Sequence, residues 1–420
     1  MNASSIPKTT PHLRTTDLRG VSQIAVAAVR GLTDLVENLH HNIARAPWPL
    51  GTPSDQPTTG ITGLVYRSIR GVTKLVGGSL EALLGQAELL LGPDGGITSP
   101  EREAVVSALN GVLGDRLAAQ GNPLAVTMAV LHAGQPLSLD APGLAQGLPG
   151  ARGRVLLMVH GLCMGPSQWL RNGHDHGRAL ADEGGFTPLY LHYNTGRHVS
   201  DNGRDLAELL QTLQARWPRP LEQIVILGHS MGGLVARSAC QQAQALGHTW
   251  PAHLSQLVFL GTPHHGAPLA RGGHWLDGLL GASPYTAAFA KLAAKRSAGI
   301  GDLRHGSVLA TDWDDAKAFA HGHDTRTPVP LPAGVVCHAV AASLGAQQGD
   351  LKDALLGDGL VPIDSALGHH KQAQRCLAFD ADKQWIGHDM GHLDLLDNAD
   401  VYAQLRRWLV PPLAGQAPSA

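Results

Sequence analysis

This 420-residue chain has no run of 18 apolar residues, so no segment reads as a transmembrane helix. Its first 20 residues are polar and lack the apolar core of a secretory leader, so a cytoplasmic protein is expected. No lysine and arginine cluster stands out, and the formal net charge is only -2. That pattern argues against a nucleic-acid partner. Charged residues make up just 16% of the chain, while glycine and alanine are abundant, a composition like that of high-GC bacterial proteomes. Cysteine is scarce. Cys163, Cys240, Cys337 and Cys376 are scattered, without the close spacing of a metal site. Cys240 reads as a small core residue. Cys337 and Cys376 fall on neighbouring expected strands, which leaves a disulfide open. Reduced thiols are favoured because the chain start shows no secretory signal.

What is present points to a globular protein. Hydrophobic residues reach 43%, and the length allows one large domain plus an extension. The most informative stretch is Gly228-His229-Ser230-Met231-Gly232. It follows the apolar run Ile224-Val225-Ile226-Leu227 and opens a helical segment. In that setting G-x-S-x-G describes a strained strand-to-helix turn that exposes a serine hydroxyl. Side chains two residues either side of the serine would collide, so glycine is needed at both places.

A serine hydroxyl is a poor nucleophile at neutral pH and needs a base oriented by a carboxylate. In chains built around such a turn, the acid and then the histidine follow the serine in sequence. Asp358 lies in Leu356-Gly357-Asp358-Gly359-Leu360-Val361-Pro362, after the strand-like Val335–Val340. Asp353 and Asp364 are its local rivals, and an ordinary Asp-Gly turn is the plain alternative. His392, in Gly391-His392-Leu393-Asp394, follows the strand-like Cys376-Leu377-Ala378-Phe379 and precedes a last helix over 397–409. His388 is its competitor. The chain has 23 histidines, so only position after the last strand selects these two.

Negative charge developing on a substrate oxygen needs fixed N–H donors. Met231, after the nucleophile, is one expected donor. Leu162, in the loop His160-Gly161-Leu162-Cys163 after the strand Val155–Val159, is the other. His160 is a candidate for the substrate pocket. Histidine–acid clusters occur at His174-Asp175-His176, His264-His265 and His321-x-His323-Asp324. None has the i, i+4 spacing that aims two ligands from one helix face, so no metal and no cofactor are expected.

These motifs resemble the α/β-hydrolase superfamily, in its bacterial lipase and esterase branch near the GPI inositol-deacylase-like group. The resemblance rests on His160-Gly161-Leu162, Gly228–Gly233, Gly261-Thr262-Pro263-His264-His265-Gly266, Asp358-Gly359-Leu360-Val361-Pro362 and His392-Leu393-Asp394. It implies acyl-ester chemistry. Lipases of that branch carry the acid in an Asp-Gly-Leu-Val string and the base in a His-Leu-Asp string, which favours Asp358 and His392 over their rivals. Some also hold calcium through the aspartate of the second string. Asp394 is present here, but no second ligand can be identified.

Alternating strand and helix patterns predict a mostly parallel sheet with helices on both faces. A hairpin, Ala125–His132 and Pro136–Leu139 turning at Gly134-Gln135, would begin it. Further strands are expected at 188–193 and 256–260, with a helix over 201–217. Residues 1–120 read as an N-terminal helical extension, with amphipathic patterns over 18–43 and 61–91. A third helix there has Thr98 and Glu101 as a capping box and Pro100 in its first turn. Residues 121–412 form the hydrolase domain, with a cap over 266–332 and a tail over 413–420. Trp275, Leu279, Leu280 and Phe289 are candidate pocket lining within the cap. The extension packs on the hydrolase or touches a membrane surface, although its polar faces carry little lysine and arginine.

The expectation is a serine hydrolase that cleaves carboxylic, lipid-like esters through an acyl-enzyme on Ser230, with a small-molecule ester or lipid as its partner. Two alternatives stand. The same residues would serve an acyltransferase, thioesterase or amidase, or the chain is a non-catalytic binding relative.

Overall fold

The computed structural model describes Arg19, Gly20, Gln23 and residues 100–267, 297–314, 324, 326–346 and 357–410. The amphipathic patterns over 18–43 and 61–91, the capping Thr98, and Trp275, Leu279, Leu280 and Phe289 fall outside the described residues or almost so. The tail over 413–420 does too. The chain divides into two compact units, Met1–Ser99 with Gln120–Leu124, and Pro100–Ala119 with Ala125–Ala420. In the first, Asn122 Nδ2 donates to the Gly20 carbonyl at 3.1 Å, and Asn122 Oδ1 accepts the Leu124 N–H at 2.9 Å.

The second unit runs α1 (Pro100–Ala119), β1 (Ala129–His132), β2 (Gln135–Pro136), α2 (Ala141–Gly147), β3 (Arg154–Val159), α3 (His176–Gly184) and β4 (Thr187–His192). It continues with α4 (Val199–Arg216), β5 (Gln223–His229), α5 (Met231–Leu246), β6 (Leu254–Leu260), α6 (Ala298–His305) and α7 (Thr311–Asp314). It closes with β7 (Val336–Ala342), α8 (Ile363–Ala366), β8 (Gln384–Gly387) and α9 (Ala399–Leu409). Helix α1, expected from its pattern to belong with the N-terminal region, groups with the sheet. Its Ala108 and Val112 are fully buried in the core that covers one sheet face.

The strands form one eight-stranded sheet in the order β2-β1-β4-β3-β5-β6-β7-β8. β1 pairs antiparallel with β2 and β4, and every other pair is parallel. This is the α/β-hydrolase architecture anticipated from the motifs. Parallel strands covered on both faces are apolar throughout, and Ile224 to Leu227 are each 0% exposed. Side chains still alternate: Val155, Leu157 and Val159 enter one core, Leu156 and Met158 the other. Leu206, Leu210 and Leu213 of α4 and Val235 and Ala239 of α5 fill the first core. Leu180 of α3 and Val401, Leu405 and Leu409 of α9 fill the second. Each fully buried leucine contributes roughly 2 kcal/mol of apolar transfer.

Two strand expectations are corrected. The hairpin pairs His132 with Gln135, so its turn is Ala133-Gly134 and not Gly134-Gln135. Both turn residues have positive φ, 48° and 76°, the geometry that matches strand twist in a two-residue turn. The last strand is not Cys376–Phe379 but Gln384–Gly387. The apolar residues of the earlier segment pack without joining the sheet: Phe379 meets Phe259 edge-on, centroids 5.8 Å apart. Among the described residues β8 pairs only with β7, at the sheet edge, so it needs no continuous apolar run. Among the described residues, no helix is long and apolar enough to cross a membrane.

Candidate active site

Ser230 is the hinge between β5 and α5, with φ 54° and ψ −123°. A non-glycine residue in that region stores strain. Ser230 N donates to the Leu260 carbonyl of β6 at 2.8 Å, which pins the turn to the neighbouring strand. The glycine pattern has a direct steric cause. A Cβ at Gly228 would lie 2.7 Å from Gly233 N, and one at Gly232 would lie 2.2 Å from the Val159 carbonyl oxygen. Met231 opens α5, where a backbone N–H has no acceptor within the helix.

The loop after β3 runs beside this turn. A Cβ at Gly161 would be 3.1 Å from Ser230 Cβ and 3.0 Å from His229 Nδ1. Leu162 follows it and is 1% exposed. Cys163, with φ 61°, anchors the loop by donating its N–H to Thr195 Oγ1 at 3.1 Å. His160 is fully buried, stacked on Tyr193 at 4.5 Å, and its carbonyl accepts the Tyr193 hydroxyl at 2.7 Å. Burial pushes its imidazole pKa down to about 3, so it is neutral. It braces the loop from within the core.

Asp358 and His392 come together from separate loops. Asp358 Oδ2 lies 2.7 Å from His392 Nδ1. Asp358 Oδ1 accepts the N–H groups of Leu360 and Val361 at 2.9 and 2.7 Å. The His392 N–H donates back to the Asp358 carbonyl at 3.0 Å. The flanking Gly357 and Gly359 have φ of 53° and 91°, which lets the short loop fold around the carboxylate. Both side chains are almost wholly buried, and His392 Nε2 is buried without a partner. The pair adjoins the serine turn: the rings of His229 and His392 are 4.7 Å apart, and a Cβ at Gly261 would be 3.1 Å from His392 Cε1.

The described rivals do not join this pair. Asp364 is exposed and faces His369 Nδ1 at 3.3 Å. Asp353 lies outside the described residues. His388 precedes the His392 loop and is paired with no carboxylate among the described residues. Asp394 closes its own turn, accepting the Gly391 N–H at 2.8 Å, and Arg171 approaches it at 4.0 Å. Among the described residues, no group of three or more histidine, cysteine or acidic side chains is placed to hold a metal. The four cysteines are free.

One neighbour was not legible in advance. His229 occupies the variable position of G-x-S-x-G, yet its Nε2 lies 3.2 Å from the His392 carbonyl. Burial and the adjacent His392 hold its pKa well below the usual range. The neutral ring therefore donates its Nε2–H to that carbonyl. Nothing in the sequence singles out this contact, because it joins residues far apart in the chain.

Residues 137–299 match a family described as a domain of unknown function, DUF7379. No curated protein matches the chain. Similar solved structures include the mature lipase BlEst2 of Bacillus licheniformis, 17% identical, covering 61% of this chain and 92% of that one, with a TM-score of 0.38. Lipase 1 of Pelosinus fermentans is 13% identical over 61% of this chain and 97% of its own, TM-score 0.38. The NocB thioesterase domain is 16% identical over 62% and 96%, TM-score 0.35.

Proposed function

We propose that this chain is a serine hydrolase of carboxylic esters, acting on small-molecule or lipid-like substrates. The observation that carries the reading is the Asp358–His392 pair beside the strained Ser230. One aspartate oxygen is held by two backbone N–H groups and the other by the imidazole, so the ring is fixed with its proton on Nδ1. His392 Nε2 is left as the acceptor.

The chemistry follows from that tautomer. Ser230 Oγ attacks the ester carbonyl carbon while its proton passes to His392 Nε2. Asp358 stabilises the imidazolium that forms. The carbonyl oxygen becomes an oxyanion, held by the N–H groups of Leu162 and Met231 at the start of a helix. The imidazolium then protonates the departing alcohol, leaving an acyl-enzyme. Water, deprotonated by the same nitrogen, releases the acid and restores Ser230. The motif resemblance, above all Gly261–Gly266 and His392-Leu393-Asp394, supports the finer placement near the GPI inositol-deacylase-like branch. Residues 266–332 would supply a cap over the acyl group.

The test is labelling of the folded protein with a fluorophosphonate, followed by hydrolysis of p-nitrophenyl esters of rising chain length. Labelling of Ser230 with ester turnover is the expected result. Labelling without turnover of any ester points to acyl transfer or amide cleavage instead. No labelling points to a binding role.

A further inference from the structure

Helix α5 carries a second polar group on a different errand from Ser230. Arg237 stands two turns along it, roughly 10 Å of helix rise beyond the serine. Its side chain is buried, with the residue only 5% exposed. Nη2 donates to the Val329 carbonyl, and Nη1 lies 3.4 Å from His264 Nδ1. Nε is buried without any partner. No carboxylate among the described residues forms an ion pair with Arg237. Asp312 is nearby, but its oxygens accept the N–H groups of Val308, Leu309 and Thr327.

Two further guanidinium groups border the same place. Arg326 grips Asp324 with Nε at 2.9 Å and Nη2 at 2.7 Å. Arg375 reaches the same carboxylate at 3.5 Å. Among the described residues, three arginines thus face two carboxylates, leaving one positive charge in excess. A buried charge without a counter-charge is strongly unfavourable. Burial, then the charge of Arg326, lowers the Arg237 pKa to about 10, which still leaves it protonated at neutral pH.

The histidine adds a second unmatched donor. Arginine has no acceptor, so the Nη1 contact requires His264 Nδ1 to accept. The His264 proton then sits on Nε2, which is also buried without a partner. Arg237, His264, Arg326 and Arg375 line one cavity of about 20 Å³, which Asp312 also borders. That is room for about one water-sized particle. It suits a single halide ion better than a phosphate or an organic acid.

We propose that this cavity is a binding site for one small monovalent anion of the chloride class, held by Arg237 with Arg326 alongside. The ion neutralises the excess charge and accepts from the unmatched Arg237 Nε–H. It ties α5 to residues 326–329. The proposal is independent of any reaction at Ser230.

The test uses the full chain at constant ionic strength, with sodium gluconate replaced stepwise by chloride or bromide. The unfolding midpoint should rise saturably with the halide, as binding to the folded state requires. Arg237→Met should abolish that rise. Crystals of the unaltered protein with sodium bromide should show an anomalous peak in the cavity. Equal midpoints in gluconate and chloride overturn the proposal, as does a folded Arg237→Met protein that keeps the full halide response. If that variant does not fold, the bromide map decides: a peak supports the site, and water alone refutes it.

Discussion

Asp358 and His392 are linked twice, side chain to side chain at 2.7 Å and the His392 N–H to the Asp358 carbonyl at 3.0 Å. The double link makes the two loops one rigid unit. It sets the imidazole's orientation before any substrate arrives.

Replacing the acid should therefore harm chemistry more than folding. Asp358→Asn is expected to lower kcat by roughly 10⁴-fold, because the amide favours the wrong imidazole tautomer. Asp364→Asn, at an exposed site, should behave like the unaltered protein. Steady-state kinetics on an ester substrate checks both. Near-normal turnover by the Asp358 variant would remove it from the mechanism.

The serine turn tolerates no bulk at Gly232. An alanine there brings Cβ to 2.2 Å from the Val159 carbonyl oxygen, a clash of backbone with backbone. Gly232→Ala should destabilise by about 3 kcal/mol or more and abolish fluorophosphonate labelling. Gly247 ends α5 with φ 67° and open space around it, so Gly247→Ala should cost only about 1 kcal/mol and keep labelling. Urea unfolding of the two variants gives the comparison.

His229 is expected to act through His392 as a positioning residue. His229→Phe keeps a ring in place but removes the donor to the His392 carbonyl. It should lower kcat by about 10- to 100-fold with KM little changed. A parallel rise in KM, or kcat within about twofold of normal, would show that the contact is only packing.

Acid should unfold this protein through its buried histidines. Burial lowers His160 and His176 to about 3, and His265 and His338 to about 4. In the unfolded chain these rings titrate near 6.5. Between those values the unfolded state binds more protons, so stability rises with pH and is lost on acidification. His198 runs the other way. Burial lowers its pKa, but Asp302 at 3.0 Å outweighs that and raises it. That one ring does not reverse the sign set by the buried, lowered histidines. The urea midpoint should fall steadily from pH 7 to pH 5, and a flat profile would refute this account.

Much of the local geometry around the candidate site was readable in advance for local reasons. The run Ile224–Leu227 followed by Gly-x-Ser-x-Gly encodes a strand, a strained turn and a helix within one short segment. The glycines are needed because of atoms a few positions away, or on the adjacent strand. The Asp358 loop was readable because two flanking glycines mark a turn that wraps a carboxylate. Less was legible where pairing is weak or partners are distant. The edge strand Gln384–Gly387 pairs on one side only, so its pattern is faint beside the apolar Cys376–Phe379.

The sequence by itself determined the strand–turn–helix at Ser230 and the alternation that builds a parallel sheet, because both follow from sterics and burial along contiguous residues. Only the tertiary structure decided that His229 reaches His392, that α1 packs with the sheet, and that Arg237 is buried without a counter-charge among the described residues. Those outcomes depend on which distant segments share a small volume, and distances through space are not written in local spacing.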